Sequence, residues 1–179
     1  EVFFNEHGIL KQNEGFDCII GNPPWEVWEA DSEEFFSKYD STYRSLGKKK
    51  DKDKYREKLL EKIPNIKDKW NEFERKLVLG SEYFRNNLNY RYQNWVVDGR
   101  NTGSKNNLYK LSVERFTQLG NKNSIISLLV QDSIMTDLGS SGLRHMIFDN
   151  HTIKEYLSFE NRKKIFDVID GRQKFAVLT

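Results

Sequence analysis

The sequence predicts an α/β fold that carries a helical insertion, and three observations support this. The apolar run Phe16–Gly21 is bounded by glycine and proline, which is typical of a buried strand ending in a loop. The stretch from about residue 31 to residue 100 is charged and mainly helical in its pattern. From Asn106 onward, helical and strand patterns alternate, which implies a sheet with right-handed crossovers.

A rigid loop follows the first predicted strand. It consists of Asn22, Pro23, Pro24 and Trp25, here called the NPPW loop. Each proline holds φ near about −65°, and the second proline pushes the first toward an extended conformation. An amide and a large aromatic ring are therefore displayed at the carboxyl end of a strand, where open α/β sheets bind ligands. Cys18, in the strand itself, is expected to be a buried packing residue.

The helical insertion begins with a cap signal. Asp31 or Ser32 is expected to serve as N-cap, because Glu33 and Glu34 then lie in the first turn, where the helix dipole favours them. Pro64 interrupts the later helical pattern, so at least two helices are predicted. The aromatic residues of the insertion are expected to pack in a core or a lid.

The carboxyl-terminal part is predicted to contain two helices and three strands. The helices are expected over residues 106–119 and near Ser141–Asn150, and the strands over residues 125–130, 153–159 and 174–179.

Composition excludes several classes of protein. The 179 residues suffice for one domain or part of one, and the formal net charge of +2 is too small to predict nucleic-acid binding by itself. The single cysteine allows no disulfide framework, which is consistent with a reducing cytoplasm. No run of about eighteen apolar residues and no signal-peptide pattern occurs. His7, His145 and His151 lack metal-ligand spacing, so no metal site is predicted.

The NPPW loop suits the chemistry of an exocyclic amino group. Such a group on a planar base is a poor nucleophile, because its lone pair is delocalised into the ring. The side-chain oxygen of Asn22 and the carbonyl of Pro23 are two acceptors that can favour tetrahedral geometry at the nitrogen. Trp25 offers a flat face for stacking the base. Positioning and electrostatics can then promote the reaction without a strong general base.

Several segments in order carry a resemblance. The NPPW loop is followed by an Asn-x-Tyr helix start at residues 107–109, a strand, a Phe-Glu-Asn-Arg segment at residues 159–162 and a Lys-Phe-x-x-Leu strand at Lys174–Leu178. This series resembles the adenine-N6 DNA methyltransferase module of type IIG restriction–modification enzymes and related phage-defence methylases. Asn-Pro-Pro-Trp also matches the Asp/Asn/Ser-Pro-Pro-aromatic motif of amino-methyltransferases in general.

The resemblance implies a fold, a reaction and a set of partners. The fold would be a partial Rossmann-like S-adenosylmethionine-dependent methyltransferase fold, whose last two strands pair antiparallel. The cofactor would be S-adenosyl-L-methionine, and the partner would be double-stranded DNA with a flipped adenine, since an amino group inside the stack cannot be reached. The catalytic residues would be Asn22, Pro23, Pro24 and Trp25, and no membrane partner is expected.

One departure from the family pattern concerns the cofactor. The family binds it through a glycine-rich turn and an acidic residue upstream of the NPPW motif, and no Gly-x-Gly occurs in this chain. The chain is therefore expected to be the carboxyl-terminal part of a catalytic domain, to hold the amine half of the site and to be inactive alone.

Two further pairs of residues have alternative interpretations. Asp132 and Ser133 follow a predicted strand, so they either border the same crevice as Asn22 or cap a helix. Arg144 and Arg162 either contact DNA phosphate or lie on a solvated surface.

Three functions are compatible with the sequence. The first is adenine-N6 methylation of DNA in restriction–modification or phage defence. The second keeps the chemistry but acts on protein glutamine or on guanine in RNA. The third is a non-catalytic fragment with a structural or DNA-binding role. The helical insertion and the Phe-Glu-Asn-Arg segment favour the first.

Overall fold

The computed structural model describes residues 2–9, 11, 13–101, 105–167 and 169–179. The strands in these residues are β1 (Phe16–Gly21), β2 (Val96–Val97), β3 (Arg100–Asn101), β4 (Gly120–Gln131), β5 (Tyr156–Glu160) and β6 (Lys174–Leu178). The α-helices are α1 (Ser32–Phe36), α2 (Thr42–Ser45), α3 (Lys49–Lys62), α4 (Ile66–Asn86), α5 (Leu108–Leu119) and α6 (Ser141–Asn150). Short 3-10 helices lie at Leu88–Asn94, Asp132–Met135, Leu138–Ser140 and Asn161–Lys163.

The chain divides into two compact units. The sheet unit comprises Glu1–Val27 and Tyr83–Thr179, and the helical unit comprises Trp28–Glu82. In the helical unit, Asp31 caps α1, because its carboxylate accepts hydrogen bonds from the N–H groups of Glu33 and Glu34. The predicted break at Pro64 is confirmed, since α3 ends at Lys62 and α4 begins at Ile66. The core of this unit is largely aromatic and consists of Phe35, Phe36, Tyr43, Leu59, Ile66 and Trp70.

The sheet unit is a mixed α/β structure around a four-stranded sheet of order β1-β4-β6-β5. β1 and β4 are parallel, whereas β6 runs antiparallel to both β4 and β5. The predicted antiparallel pairing of the last two strands is confirmed, with the antiparallel strand one place in from the edge. The carboxyl ends of β1 and β4 and the start of β6 therefore meet at one end of the sheet.

The main core lies between this sheet and helices α5 and α6. It is formed by buried side chains from β4, β6, both helices and the turn after β4: Tyr109, Val113, Leu128, Val130, Ile134, Leu143, Met146, Ile147, Ala176 and Leu178. The strand residues of this core occupy every second position, and the helix residues lie three or four positions apart. These are the spacings that place side chains on one face of a strand and of a helix.

β4 begins five residues earlier than the apolar pattern predicted. Its polar first residues pair with the start of β1, where Phe16 lies opposite Gly120. The amide of Asn121 donates to the carboxylate of Asp17 at 2.6 Å. Gly15 has a φ of +112°, and a Cβ there would lie 2.6 Å from the backbone nitrogen of Asn121, so only glycine allows this close approach. Side-chain hydrogen bonds and backbone proximity thus extend the strand beyond its hydrophobic segment.

The expectation that Cys18 and its strand are buried was wrong. Cys18 is exposed, and Ile20 on the same strand is 81% exposed. The physical reason is the position of β1 at the edge of the described sheet, where it has a neighbour on one side only. An apolar run predicts a strand, but the topology decides how much of it is covered.

Candidate active site at the carboxyl end of β1

The NPPW loop is anchored at both of its ends. β1 ends at Gly21 within its parallel pair with β4. Beyond the loop, the N–H of Leu108 donates to the carbonyl of Glu26 at 2.9 Å, and Val27 forms an antiparallel bridge with Asn107. The backbone at the start of α5 therefore fixes the residues that follow the loop.

The two predicted acceptors of the NPPW loop are available. Pro23 is buried, whereas Asn22 and Pro24 are exposed. Among the described residues, neither the Asn22 amide nor the Pro23 carbonyl oxygen has a hydrogen-bond partner. Two polar oxygens of consecutive residues are thus left free to accept hydrogen bonds from a ligand.

Trp25 is half-buried and packs on the core. Its ring lies 5.7 Å from that of Phe166 and 6.5 Å from that of Phe175, measured between centroids. Its indole nitrogen lies 3.5 Å from the carbonyl oxygen of Leu129, near the limit for a hydrogen bond. These contacts hold the ring in one orientation while part of it remains accessible.

An open cleft of about 520 Å³, here called the NPPW cleft, borders the loop. Its walls come from the loop itself, the end of β4 and the segment before β6: Asn22, Pro23, Pro24, Trp25, Glu26, Gln131, Phe166, Ile169 and Gln173. The volume falls within the roughly 300–1,000 Å³ of small-molecule sites, and the lining combines aromatic surface with a few polar groups.

Asn161 organises the wall of the cleft opposite the loop. It is fully buried, and its amide nitrogen donates to the carbonyls of Phe166 at 2.9 Å and Ile169 at 3.0 Å. Its amide oxygen accepts from the N–H of Phe166 at 3.1 Å, and its own N–H donates to the carbonyl of Gln173. The Phe-Glu-Asn-Arg segment therefore shapes the cleft through its asparagine.

Two glutamines of the cleft were missed in the sequence. Gln131 is the last residue of β4, and Gln173 directly precedes β6. Both are half-buried, and their side-chain amides have no partner in the part of the chain that the structure describes. They are brought together by the antiparallel pairing of β4 and β6, which places Gln131 opposite Phe175, two residues beyond Gln173, and no signal in the sequence specifies that pairing.

Asp132 and Ser133 do not line the cleft. The carboxylate of Asp132 accepts a hydrogen bond from the hydroxyl of Tyr156 at 2.7 Å, and burial together with this bond raises the pKa of that hydroxyl. The 3-10 helix here has Gln131 at its N-cap position and no side-chain cap. Neither expectation for this pair is realised, and the preceding residue, Gln131, faces the cleft instead.

The two arginines predicted to meet DNA differ in their surroundings. Arg144 is half-buried and donates to the carbonyls of Ile134 at 2.9 Å and Asp137 at 2.6 Å, so it holds the turns between β4 and α6. Arg162 is exposed over 80% of its side chain and pairs with Glu160. Contact of either arginine with phosphate stays a prediction.

A second cleft lies at the opposite end of β4. Its volume is about 800 Å³, and it is bordered by the first residues of β4, the end of α6 and the last residues of β6. Its polar lining includes Lys122, His151 and Lys154, and burial lowers the pKa of the His151 imidazole. This cleft contains no residue of the NPPW loop, so we place the candidate active site at the smaller one.

Residues 80–166 match the model of the Eco57I restriction-modification methylase family. The resemblance drawn from the sequence motifs is confirmed by this match. No curated protein and no solved structure matches the chain. The matched residues include α5, β4, α6, β5 and Asn161, whereas the NPPW loop lies outside them.

The match indicates a DNA methyltransferase of the restriction–modification type. A match to a restriction–modification methylase family implies S-adenosylmethionine as the methyl donor and DNA as the substrate. Within the described ranges, no helix is both long enough and apolar enough to cross a membrane. No cluster of three or more metal-ligating side chains occurs in those ranges either.

Proposed function

We propose that this chain forms the amine-binding half of a DNA adenine-N6 methyltransferase that acts in restriction–modification or phage defence. The observation that supports this most directly is the NPPW cleft, whose lining includes Asn22 and Pro23, with their free oxygens, and Trp25. We infer further that the sheet of order β1-β4-β6-β5 is part of a Rossmann-like methyltransferase fold.

The chemistry follows from the two acceptors. An amino group that donates one hydrogen to the Asn22 oxygen and one to the Pro23 carbonyl is drawn toward tetrahedral geometry, with its lone pair directed away from the ring. Both acceptors are positioned before the ligand arrives, because Pro23 is buried and the loop is anchored to α5. Trp25, held by Phe166 and Phe175, supports the face of a base that has left the duplex.

The glycine-rich turn through which the resembled family holds the methyl donor does not occur in this chain. S-adenosylmethionine would supply the methyl group, but the chain has no Gly-x-Gly turn, and the described sheet has no parallel strand beyond β1. The proposal for this chain therefore concerns the target amine.

Substitution of Asn22 tests the proposal. In the full-length protein, Asn22→Ala should lower methyl transfer to DNA by roughly 100- to 1,000-fold, as expected for loss of one preorganised polar group. Asn22→Asp keeps an acceptor oxygen and should retain much of the activity. Asn123→Ala, which changes an exposed asparagine near the start of β4, is the control and should have no effect.

Mass spectrometry of the methylated product identifies the substrate. Methyl groups on adenine N6 that disappear with Asn22→Ala support the proposal. Methyl on cytosine or on protein glutamine, or an Asn22→Ala variant that is as active as the wild type, would show that it is wrong.

A further inference from the structure

The NPPW cleft contains polar groups that the methyl-transfer chemistry does not use. Gln131 and Gln173 lie at the same end of the sheet as Asn22, because β4 is parallel to β1 and β6 runs antiparallel to β4. Both line the cleft, and neither side-chain amide has a partner among the residues that the structure describes. Half-buried amides without partners are expected to bind a ligand or water, because an unmade hydrogen bond costs free energy.

The position of Gln173 is fixed by its backbone rather than by its side chain. Its carbonyl accepts from the N–H of Asn161 at 3.0 Å, and its N–H donates to the carbonyl of Asp170 at 2.9 Å. Gln131 is fixed by its place in β4, opposite Phe175 of β6. Both amides thus extend from rigid backbone, as groups that set specificity should.

The lining of the cleft suits a neutral, planar, polar ligand. Its polar side chains are the amides of Asn22, Gln131 and Gln173 and one carboxylate, Glu26. The described residues that line it include no lysine or arginine, so they offer a phosphate no charge partner. Aromatic surface from Trp25 completes a site in which a base can be stacked and hydrogen-bonded.

We propose that Gln131 and Gln173 recognise the polar edge of the base whose amino group Asn22 holds, and that they make the site selective for adenine. Because both hydrogens of the amino group are taken by Asn22 and Pro23, a glutamine carboxamide contributes its N–H group, which donates to a ring nitrogen next to the amino group, N1 or N7. This inference rests on the proposed function, since it names the groups that select the base at the same site.

The test combines glutamine variants with base analogues in the full-length protein. Gln131→Met and Gln173→Met keep the side-chain volume and remove the hydrogen bonds. The substrate is a duplex carrying the site that the wild-type protein methylates, with adenine, 1-deazaadenine or 7-deazaadenine as target. Gln118→Met is the control, because Gln118 lies on α5 and donates to the carbonyl of Asn89, outside the cleft.

We expect at least one of the two methionine variants to lower kcat/KM on adenine by roughly 5- to 150-fold, as for loss of one hydrogen bond that leaves a ring nitrogen of the base unpaired. One of the two analogues, 1-deazaadenine or 7-deazaadenine, lacks the ring nitrogen to which the glutamine donates. That analogue should lower kcat/KM in the wild-type protein, but it should cause no further loss in the methionine variant, which has already lost the hydrogen bond. Gln118→Met should behave as the wild type. If the glutamine had only a structural role, the losses in kcat/KM caused by the variant and by the analogue would multiply, because the two changes would then act independently.

Melting temperatures of all variants separate recognition from folding. If a methionine variant does not fold, Gln→Glu at the same position replaces it, since glutamate has a similar size but cannot donate to the ring nitrogen. The inference would be wrong if kcat/KM were unchanged in both glutamine variants, or if the losses caused by variant and analogue multiplied with both analogues. Either result would leave the proposed function unaffected. A wild-type protein that methylates no DNA base would overturn both.

Discussion

At the scale of single residues, Trp25 belongs to both the core and the cleft. Its ring contacts Phe166 and Phe175, and it also lines the NPPW cleft. A substitution here therefore changes two quantities, the free energy of unfolding and the affinity for a base, and the two can be measured separately.

Trp25→Ala should lower both quantities. The free energy of unfolding should fall by roughly 1–3 kcal/mol, less than for a fully buried aromatic residue, because the ring is only half-buried. Base binding should weaken by roughly 1–3 kcal/mol through loss of stacking. Trp25→Phe should retain most of both, since an aromatic face remains. Urea unfolding and the fluorescence of a duplex with 2-aminopurine at the target position measure the two effects. If Trp25→Ala lowered stability but left base binding unchanged, Trp25 would serve packing alone.

Asn161→Ala should loosen the wall of the cleft. The substitution leaves the N–H of Phe166 and the carbonyls of Phe166 and Ile169 without their partner. We expect a loss of roughly 1–3 kcal/mol in the free energy of unfolding. Hydrogen exchange at the Phe166 amide should become faster, and the exposed Asn123→Ala serves as control. Unchanged protection of that amide would contradict the role assigned to Asn161.

The candidate site could be predicted from the sequence only where it is local. Asn22 to Trp25 form one tetrapeptide, so their shared position was visible in the chain itself. Gln131 and Gln173 are brought together by an antiparallel pairing between distant segments, which residue patterns do not specify. For Asp132 the sequence left two alternatives open, the crevice or a helix cap, but the strand runs one residue longer than predicted and Gln131 lines the cleft.

At the scale of secondary-structure elements, a buried carboxylate joins α5 to the 3-10 segment Leu88–Asn94. Glu114 is fully buried and accepts from the N–H of Tyr92 at 3.0 Å and from the amide of Gln93 at 2.7 Å. Burial raises the pKa of its carboxyl above the ordinary value of 4.5, and these hydrogen bonds oppose that shift only in part. The α5 sequence predicted the helix, but not that one of its charges is enclosed.

This carboxylate should make stability depend on pH in a definite direction. Because the folded-state pKa of Glu114 is raised, its contribution is fully present below pH 4.5 and is lost as the pH rises through the raised value. Glu114→Gln cannot ionise, so the stability of the wild type relative to this variant should decrease from pH 4 to pH 7. Urea unfolding at both values measures the difference, and the exposed Glu74→Gln controls for loss of a surface charge. A constant or increasing difference would contradict the prediction.

Helix boundaries were predicted well where a cap or a breaker defines them. Asn107 accepts from the N–H of Tyr109 at 3.2 Å and starts α5 at Leu108, and α6 spans the predicted Ser141–Asn150. Strand boundaries depend on partners instead. β5 begins at Tyr156 rather than residue 153, because the N–H groups of the two preceding residues bond to the Thr179 carbonyl outside the regular ladder.

At the scale of the whole molecule, the sequence predicted the α/β class but not the coverage of the sheet. Alternating helix and strand patterns indicate the class, and the core between β4, β6, α5 and α6 follows from their apolar faces. The order of strands and the exposure of β1 depend on pairings between distant segments, which single-sequence patterns leave open. Because β1 lies at the edge of the described sheet, the sheet contains one parallel pair, β1 and β4.

The final prediction concerns the methyl donor. Dinucleotides and related ligands bind α/β sheets in crevices at the carboxyl ends of parallel strands, with a glycine-rich turn against the ligand. The described residues form one parallel pair of strands and the sequence has no Gly-x-Gly turn, so this chain should bind S-adenosylmethionine weakly or not at all by itself. With a Kd above about 1 mM, 1 mM ligand would stabilise the fold by less than about 0.4 kcal/mol. Isothermal titration of the isolated chain measures the affinity, and S-adenosylhomocysteine provides a second ligand with the same nucleoside. Micromolar binding of either would show that this chain carries a donor site of its own, and the division between an amine half and a donor half would then be wrong.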